Sequence, residues 1–337
     1  MLKILGLNQF VFDFILRMKL LIIGDPYAAQ LKQIQDNHTD QKYSIPLFAC
    51  FRNELHRLPF FLNYYRNLGV DHFFFIDNDS DDGTVEFLLQ QSDVSLWHTT
   101  DSYRDSNFGM KWCNHLLNTY GVDKWCMTCD PDEFLKYPHI ETRDLHEFTS
   151  WMDSMGQKAL FTVMIDCYGK NGVKDTHLNE HGDVFQACPY FDKFNFTQRF
   201  NSQLGNVWIQ GGVRMRHYFI DDPAQAPALN KVPLIKWKKG YEYLSSMHHT
   251  NIPQINCTVN TNNRFVSGCI LHFKYISKLQ DKVEEEMDRR QHYNGGKEYD
   301  TYLQKGFEIL YDPYWSITYM NSEQLVNQKI MHVGEWF

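Results

Sequence analysis

The 337-residue sequence lacks an uninterrupted apolar run long enough to cross a bilayer, an excess of positive charge, and a cysteine framework. Each absence excludes something. A spanning helix needs about 20 predominantly apolar residues, but the apolar opening MLKILGLNQFVFDFILRMKLLIIGD (1–25) is broken by Asp13, Arg17 and Lys19. It also lacks the small-residue cleavage site of a signal peptide. We read it as an amphipathic helix docked on its own protein. The alternative, a peripheral contact with the inner membrane, is favoured by its aromatic residues and weakened by its few cations. A formal charge of −8 argues against a nucleic-acid binder working through a basic face. Eight cysteines in a chain this long do not make a small disulfide scaffold. Cys126 and Cys129 form a CxxC within a strand pattern, where residues i and i+3 point to opposite faces and are badly placed to share a metal. Buried, reduced thiols and a cytoplasmic location, with the membrane face as the variant, are expected.

What is present is apolar and aromatic: 43% and 15% of the chain, enough for one large α/β domain with additions. Residues 1–44 are read as the amphipathic segment and a polar linker (26–44). The globular body spans 45–306, and 307–337 is a tail. IPLFACF (45–51), HFFFID (72–77), VSLWH (94–98) and WCMTC (125–129) are short apolar runs typical of buried strands. Between them, 54–70, 79–91 and 106–121 have helical spacing or capping signals. Strand and helix in alternation imply a mostly parallel sheet covered on both faces. In such sheets ligands bind at the C-terminal strand ends, so RNE (52–54), DNDSDDGT (77–84) and DPDEF (130–134) should converge on one cleft. Later come a helix at 143–156, a strand at 159–166, irregular sequence over 168–264 with strand-like pieces such as VRMRHYFI (213–220), a strand at 269–276, and helices at 279–294 and 297–306.

Three carboxylates within four residues, Asp130, Asp132 and Glu133, repel one another and resist desolvation. A divalent cation among them, or a solvated turn, accommodates them. Mg²⁺ or Mn²⁺ takes oxygen ligands and can bridge protein and diphosphate. An acidic strand end can also accept hydrogen bonds from a base or ribose.

The order of these motifs carries a resemblance. FACFRNELHRLPFFLNYYRNLGVDHFFFIDNDSDDGT followed by CDPDEFL resembles the family-2-like glycosyltransferases of GT-A fold, and within them a bacterial subgroup with a (K/R)NE strand end and a D-x-DEF motif. GGVRMRHYF (211–219), LNKVPLIKW (229–237) and LHFKYISKLQDKVEEE (271–286) resemble that subgroup's later motifs, so the match covers about 45–305. The resemblance implies a Rossmann-like GT-A sheet sandwiched by helices, with a nucleotide-sugar half (45–140), an irregular acceptor half (141–276) and C-terminal helices (277–306). It implies transfer of a sugar, with inversion and metal assistance, from a UDP-sugar to a saccharide or glycolipid acceptor, as in polysaccharide or lipopolysaccharide synthesis.

Residue by residue, the resemblance places Arg52, Asn53 and Glu54 beside the nucleotide and Asp77 on the base or ribose. Asn78 stands where the family has a second acid. Asp130 and Asp132 are the metal motif, Asp132 the direct ligand. His272 completes the shell, with His248 and His249 competing for that role. Lys274, Arg214 and Arg216 offset diphosphate charge. Glu133 is read as a structural anchor, and Glu284 to Glu286 with Arg289 and Arg290 as a solvated helix face. For the base that takes the acceptor proton, Asp222, Asp221 and Asp166 stay open. The competing classes are a nucleotide-sugar-binding protein without transfer activity and a nucleotidyltransferase. The latter is expected to hold a triphosphate on a Gly-rich loop, where this chain has FRNELHRLP.

Overall fold

The computed structural model describes residues 26–38, 43–260, 262–289 and 297–336. The apolar opening 1–25 and the end of the helix expected at 279–294 lie outside them. In chain order the elements are β1 (Lys32–Gln35), β2 (Pro46–Phe51), α1 (Leu58–Leu68), β3 (His72–Asp77), α2 (Thr84–Leu88), β4 (Val94–His98), α3 (Met110–Tyr120) and β5 (Trp125–Thr128). Next come β6 (Glu133–Lys136), α4 (Leu145–Met155), β7 (Ala159–Tyr168), α5 (Val184–Ala187), β8 (Tyr190–Asp192), β9 (Phe196–Asn201), β10 (Asn206–Gly211) and β11 (Asn230–Lys236). The chain closes with α6 (Pro253–Asn256), β12 (Gly268–Tyr275), α7 (Lys278–Arg289), α8 (Lys297–Lys305), β13 (Ser316–Thr318) and α9 (Ser322–Asn327).

One eleven-stranded sheet runs β1-β4-β3-β2-β5-β11-β7-β12-β6, with β8 joined to β7 and β13 to β8. Seven of these strands, including β2, β3, β4, β5, β7 and β12, point the same way; β1, β6, β8 and β11 run against them. The fold is α/β with a mostly parallel sheet, as the strand–helix alternation implies. The first strands are apolar throughout because both faces are covered. Leu47, Phe51, Phe73 and Phe75 pack on one side with Leu58, Phe61, Leu62 and Tyr65 of α1. Phe48, Cys50, Phe74 and Ile76 pack on the other with Trp112, Cys113 and Leu116 of α3. Each large side chain so buried contributes about 1.5–3 kcal/mol. Helix α1 stops at Gly69, whose φ of 104° suits a residue without a Cβ.

Cys126 and Cys129 fall on opposite faces of the sheet, in different clusters, and all eight cysteines are free and buried. Three segments depart from expectation. Part of the polar linker, Lys32–Gln35, forms β1 on the sheet edge, antiparallel to β4. The tail after 307 supplies β13 and α9, with the Trp336 indole donating to the Pro138 carbonyl at 2.7 Å. VRMRHYFI is not a strand: Arg214–Tyr218 is a π-helical turn, closed by the Phe219 amide donating to the Arg214 carbonyl at 2.9 Å. Gly211 and Gly212, with φ of 154° and 60°, turn the chain out of β10 just before it.

No helix among the described residues is long and apolar enough to cross a membrane.

Candidate functional site

The flush parallel register of β2, β3 and β4, which pairs Phe51 with Asp77 and Asp77 with His98, brings their C-terminal ends together. A cleft of about 1310 Å³ opens there, lined by Arg52, Asn53, Glu54, Asn78, Asp130, Asp132, Arg214, His272 and Lys274 among others. The three motifs far apart in sequence thus meet in one place.

The acidic turn is held from both sides. The Glu133 amide donates to the Asp130 carbonyl at 3.0 Å, and the Phe273 amide to the Asp132 carbonyl at 2.8 Å. From α1, the Tyr65 hydroxyl donates to the Glu133 carbonyl at 2.9 Å and accepts from the Leu135 amide at 3.1 Å. Glu133 itself is buried, pairs with Lys231 Nζ at 2.7 Å and accepts the Asp130 amide at 3.4 Å. Asp130 opens onto the cleft, with 39% of its side chain exposed and Lys231 at 4.0 Å. The surrounding walls and the Glu133 carboxylate outweigh Lys231 and push it up to about 7.

Strand β12 lies between β6 and β7, so His272 sits beside Glu133 on one neighbour and Asp166 on the other. Its Nδ1 is 2.6 Å from Asp166 Oδ1, and its Nε2 is 3.3 Å from Asp132 Oδ2. Arg214 Nη2 also approaches Nδ1 at 3.0 Å. A carboxylate only accepts, so Nδ1 carries its proton toward Asp166, and Arg214, which cannot also donate to that nitrogen, is held by the same carboxylate at 2.7 and 2.8 Å. This fixes the tautomer and turns Nε2 toward Asp132. Burial alone would lower the imidazole, but Asp132 and Asp166 raise it above its ordinary value. Burial alone would raise Asp132, yet His272 and Arg57, the latter at 3.2 Å, hold it well below the usual carboxylate range.

Several side chains expected at the nucleotide are engaged by protein. Arg52 pairs with Glu285 of α7 at 2.8 Å and with Asp79 at 3.2 Å. Glu54 lies between Arg57 at 3.3 Å and Lys282 of α7 at 2.5 Å. The Asn78 side-chain oxygen accepts from Arg289 at 3.3 Å, and Lys274 binds Glu298 of α8 at 2.8 Å. Asn53, at φ 56°, accepts the Asp81 amide at 2.9 Å and donates its own to Ser80 Oγ at 2.9 Å, locking the first strand end to the second.

Three expectations need correcting. Asp77 has no exposure and lies outside the cleft lining; its carboxylate takes His98 Nδ1 at 2.9 Å and the Ser80 amide at 3.3 Å. Arg216 leaves the cleft because the helical turn sends it away from Arg214, onto Asp192 at 2.7 Å. Asp166 is too committed to Arg214 and His272 to act as a base. Asp221 and Asp222 do line the cleft; Asp221 is exposed and pairs with Lys305 at 2.5 Å. Of the competing histidines, His248 lines the cleft and His249 does not. The face of α7 read as solvated instead sends Lys282, Glu285 and Arg289 into the cleft. Sequence reasoning passed over Arg57, Lys231 and Lys282. Arg57 alone carried a signal, standing three residues after Glu54 at a helix start.

No group of three or more His, Cys, Asp or Glu among the described residues is placed to hold a metal ion by itself. Asp132 and His272 fit as a pair. Two ligands on one octahedral ion at about 2.1 Å stand about 3 Å apart when adjacent, close to their 3.3 Å.

No family model matches the sequence. Over 263 residues, 75% of this chain, it is 24% identical to a glycosyltransferase family 92 protein of Ricinus communis, and it spans 38% of that protein's length. Among solved structures, a Bacillus anthracis protein described as a glucose-1-phosphate thymidylyltransferase, in complex with sucrose, aligns at a TM-score of 0.31 and 10% identity over 78% of this chain and 85% of its own. A UDP-glucose pyrophosphorylase of Acinetobacter baumannii aligns at 0.30 and 10% over 78% and 99%. Neither structural likeness bears on what this chain does. In sequence, the chain is similar to a glycosyltransferase.

Proposed function

We propose that the protein is a glycosyltransferase that moves a sugar, with inversion, from a UDP-sugar to a saccharide or glycolipid acceptor in a reaction assisted by Mn²⁺ or Mg²⁺. The observation that carries this reading is the Asp132–His272 pair, set at the strand-end cleft with its second histidine nitrogen held by Asp166. That carboxylate–histidine pairing is the outer support that metal-ligating histidines use. Similarity to a glycosyltransferase over three quarters of the chain agrees with it.

Charge balance points the same way. Nine Lys and Arg side chains face eleven Asp and Glu around the cleft, which does not favour a nucleoside diphosphate on its own. When bound, a divalent ion supplies the missing charge and stabilises the departing diphosphate. Asp132 and His272 would hold it, with Asp130 close by and diphosphate or water completing the shell. Lys274 and Arg214, both on the cleft lining, would pass from Glu298 to the diphosphate. The competing nucleotidyltransferase reading lacks its Gly-rich triphosphate loop, since β2 runs straight into the Arg52–Glu54 turn.

Incubation with a panel of nucleoside-diphosphate sugars, following diphosphate release with Mn²⁺ and with chelator, tests the reading. Release from at least one UDP-sugar, abolished by chelator, is expected. Pyrophosphate production from a nucleoside triphosphate and a sugar phosphate would move the protein to the nucleotidyltransferases.

Metal binding should also release a proton. Without metal, the Asp132 and Asp166 carboxylates raise the His272 imidazole above its ordinary value and so favour its protonated form. Its raised value means this pairing stabilises the fold fully below the ordinary histidine range, about 6.5, and is lost as pH climbs through the folded value. The depressed Asp132 gives the acid limit: its contribution is present above the ordinary carboxylate range, about 3.9, and is lost as pH falls through its folded value. Ligation needs neutral imidazole. Mn²⁺ titrations at pH 6 in two buffers of different ionisation enthalpy should therefore show about one proton released per ion. Release that persists unchanged in His272→Ala would assign the proton elsewhere.

A further inference from the structure

An inverting transfer needs a base in the cleft, and most of the carboxylates lining it are already paired with cations, while Asp222 lines it from an exposed turn. Glu54, Glu133, Glu285 and Glu298 each hold a Lys or Arg within 2.8 Å. Asp166 is buried under Arg214, and Asp221 is tied to Lys305 at the rim. His248 differs. It lines the cleft from the segment after β11, and its Nδ1 is 2.7 Å from the Asn230 carbonyl oxygen. A carbonyl oxygen can only accept, so Nδ1 carries the proton and Nε2 presents a lone pair.

The ring is held rigidly. Asn230 is fully buried and returns its side-chain amide to the His248 carbonyl at 3.1 Å. The Asn230 side-chain oxygen accepts the Ile209 amide at 3.3 Å, tying the histidine to β10. That strand carries Trp208, half-buried on the cleft wall with its ring 6.5 Å from the imidazole. An indole face beside a hydrogen-bond acceptor suits a sugar ring, apolar on one side and hydroxylated at its edge. Burial first, then Lys231, His249 and Arg214, push the His248 imidazole down to about 3 against the pull of the Asn230 carbonyl, so it is neutral at rest.

Resting on the glycosyltransferase reading, we propose that His248 is the general base: its Nε2 takes the proton of an acceptor hydroxyl seated against Trp208. As the acceptor oxygen bonds to the anomeric carbon, its O–H bond breaks and the proton passes to Nε2. The bond from the anomeric carbon to the diphosphate oxygen breaks with its electron pair, and the nucleoside diphosphate leaves. Asn230 is a positioning residue, setting the tautomer without touching the substrate.

The test uses the full chain, a UDP-sugar that the wild type turns over, and the variants His248→Ala and His248→Gln, both checked for folding by thermal melting. Affinity for UDP with Mn²⁺, measured by calorimetry, should stay within about twofold, because His248 is not in the donor machinery. The kcat should fall by about 10²–10⁴-fold, the usual contribution of a general base. Added imidazole should restore part of the activity of His248→Ala and none of His248→Gln, whose side chain fills the space. Variants retaining wild-type kcat, or losing UDP affinity in step with kcat, or showing no rescue by imidazole, overturn the base while leaving the transferase standing. A wild type that neither binds UDP with Mn²⁺ nor releases diphosphate from any donor overturns the transferase reading, and the base with it.

Discussion

Asp132→Asn is expected to cut metal-dependent diphosphate release by about 10²–10³-fold, the scale for losing a principal electrostatic stabiliser of the leaving group. The amide has nearly the size of the carboxylate and can still accept a hydrogen bond from Arg57, so packing changes little. What disappears is the negative charge between Arg57 and His272. Two consequences separate this from simple misfolding. Mn²⁺ affinity should drop with activity, and the His272 imidazole, no longer raised by its partner, should move back toward its ordinary range. The fold should survive, because Arg57 keeps Glu54 at 3.3 Å and Glu54 keeps Lys282. Assays of kcat and metal affinity on the same preparation check the pair of effects. Full activity in the variant would remove Asp132 from the site, and lost activity with unchanged metal binding would reassign it to positioning.

What could be read from sequence here was whatever depended on local pattern. The apolar runs of β2 to β5 gave the parallel block, because strands buried on both faces have no other way to be composed. The convergence of Arg52–Glu54, Asn78 and Asp130–Glu133 followed from strand direction alone. His272 and Lys274 could be placed on one face from the period of two, and both do reach the cleft. What could not be read was whatever depended on partners distant in the chain. Asp77 ends its strand like a ligand-facing acid, but which way a strand-end carboxylate is spent depends on His98 in the next strand. The π-helical turn of Arg214–Tyr218 has the same alternating composition as a strand. Helix α7 carries an apolar stripe in Leu279 and Val283, but nothing local tells which of the charges beside that stripe reach the cleft and which stay in water. Lys231 sits in an apolar strand whose need for a cation is set by Glu133, about a hundred residues earlier.

That last pair gives the largest expected effect on stability. Lys231 and Glu133 are 4% and 2% exposed and 2.7 Å apart, and removing one member of a buried pair typically costs about 3–5 kcal/mol. The two single losses should not be equal. Glu133→Met leaves Lys231 with Asp130, 4.0 Å away and open to the cleft, where water and a proton can adjust to the change. Lys231→Met leaves Glu133 buried beside Asp130, which already feels its charge, so two carboxylates then face each other without a cation. Lys231→Met therefore belongs at the upper end of that range and Glu133→Met at the lower. Their effects on Asp130 should also be opposite. It should rise further when Lys231 is lost and fall back when Glu133 is lost, because these neighbours are what pull it each way. The double variant removes both buried charges and fills their space with apolar side chains, so it should recover most of the loss rather than add the two. Urea unfolding of the four proteins closes the cycle. Strict additivity in the double variant would mean that the two side chains do not stabilise one another, and that the acidic turn is held by Tyr65 and the Phe273 amide alone.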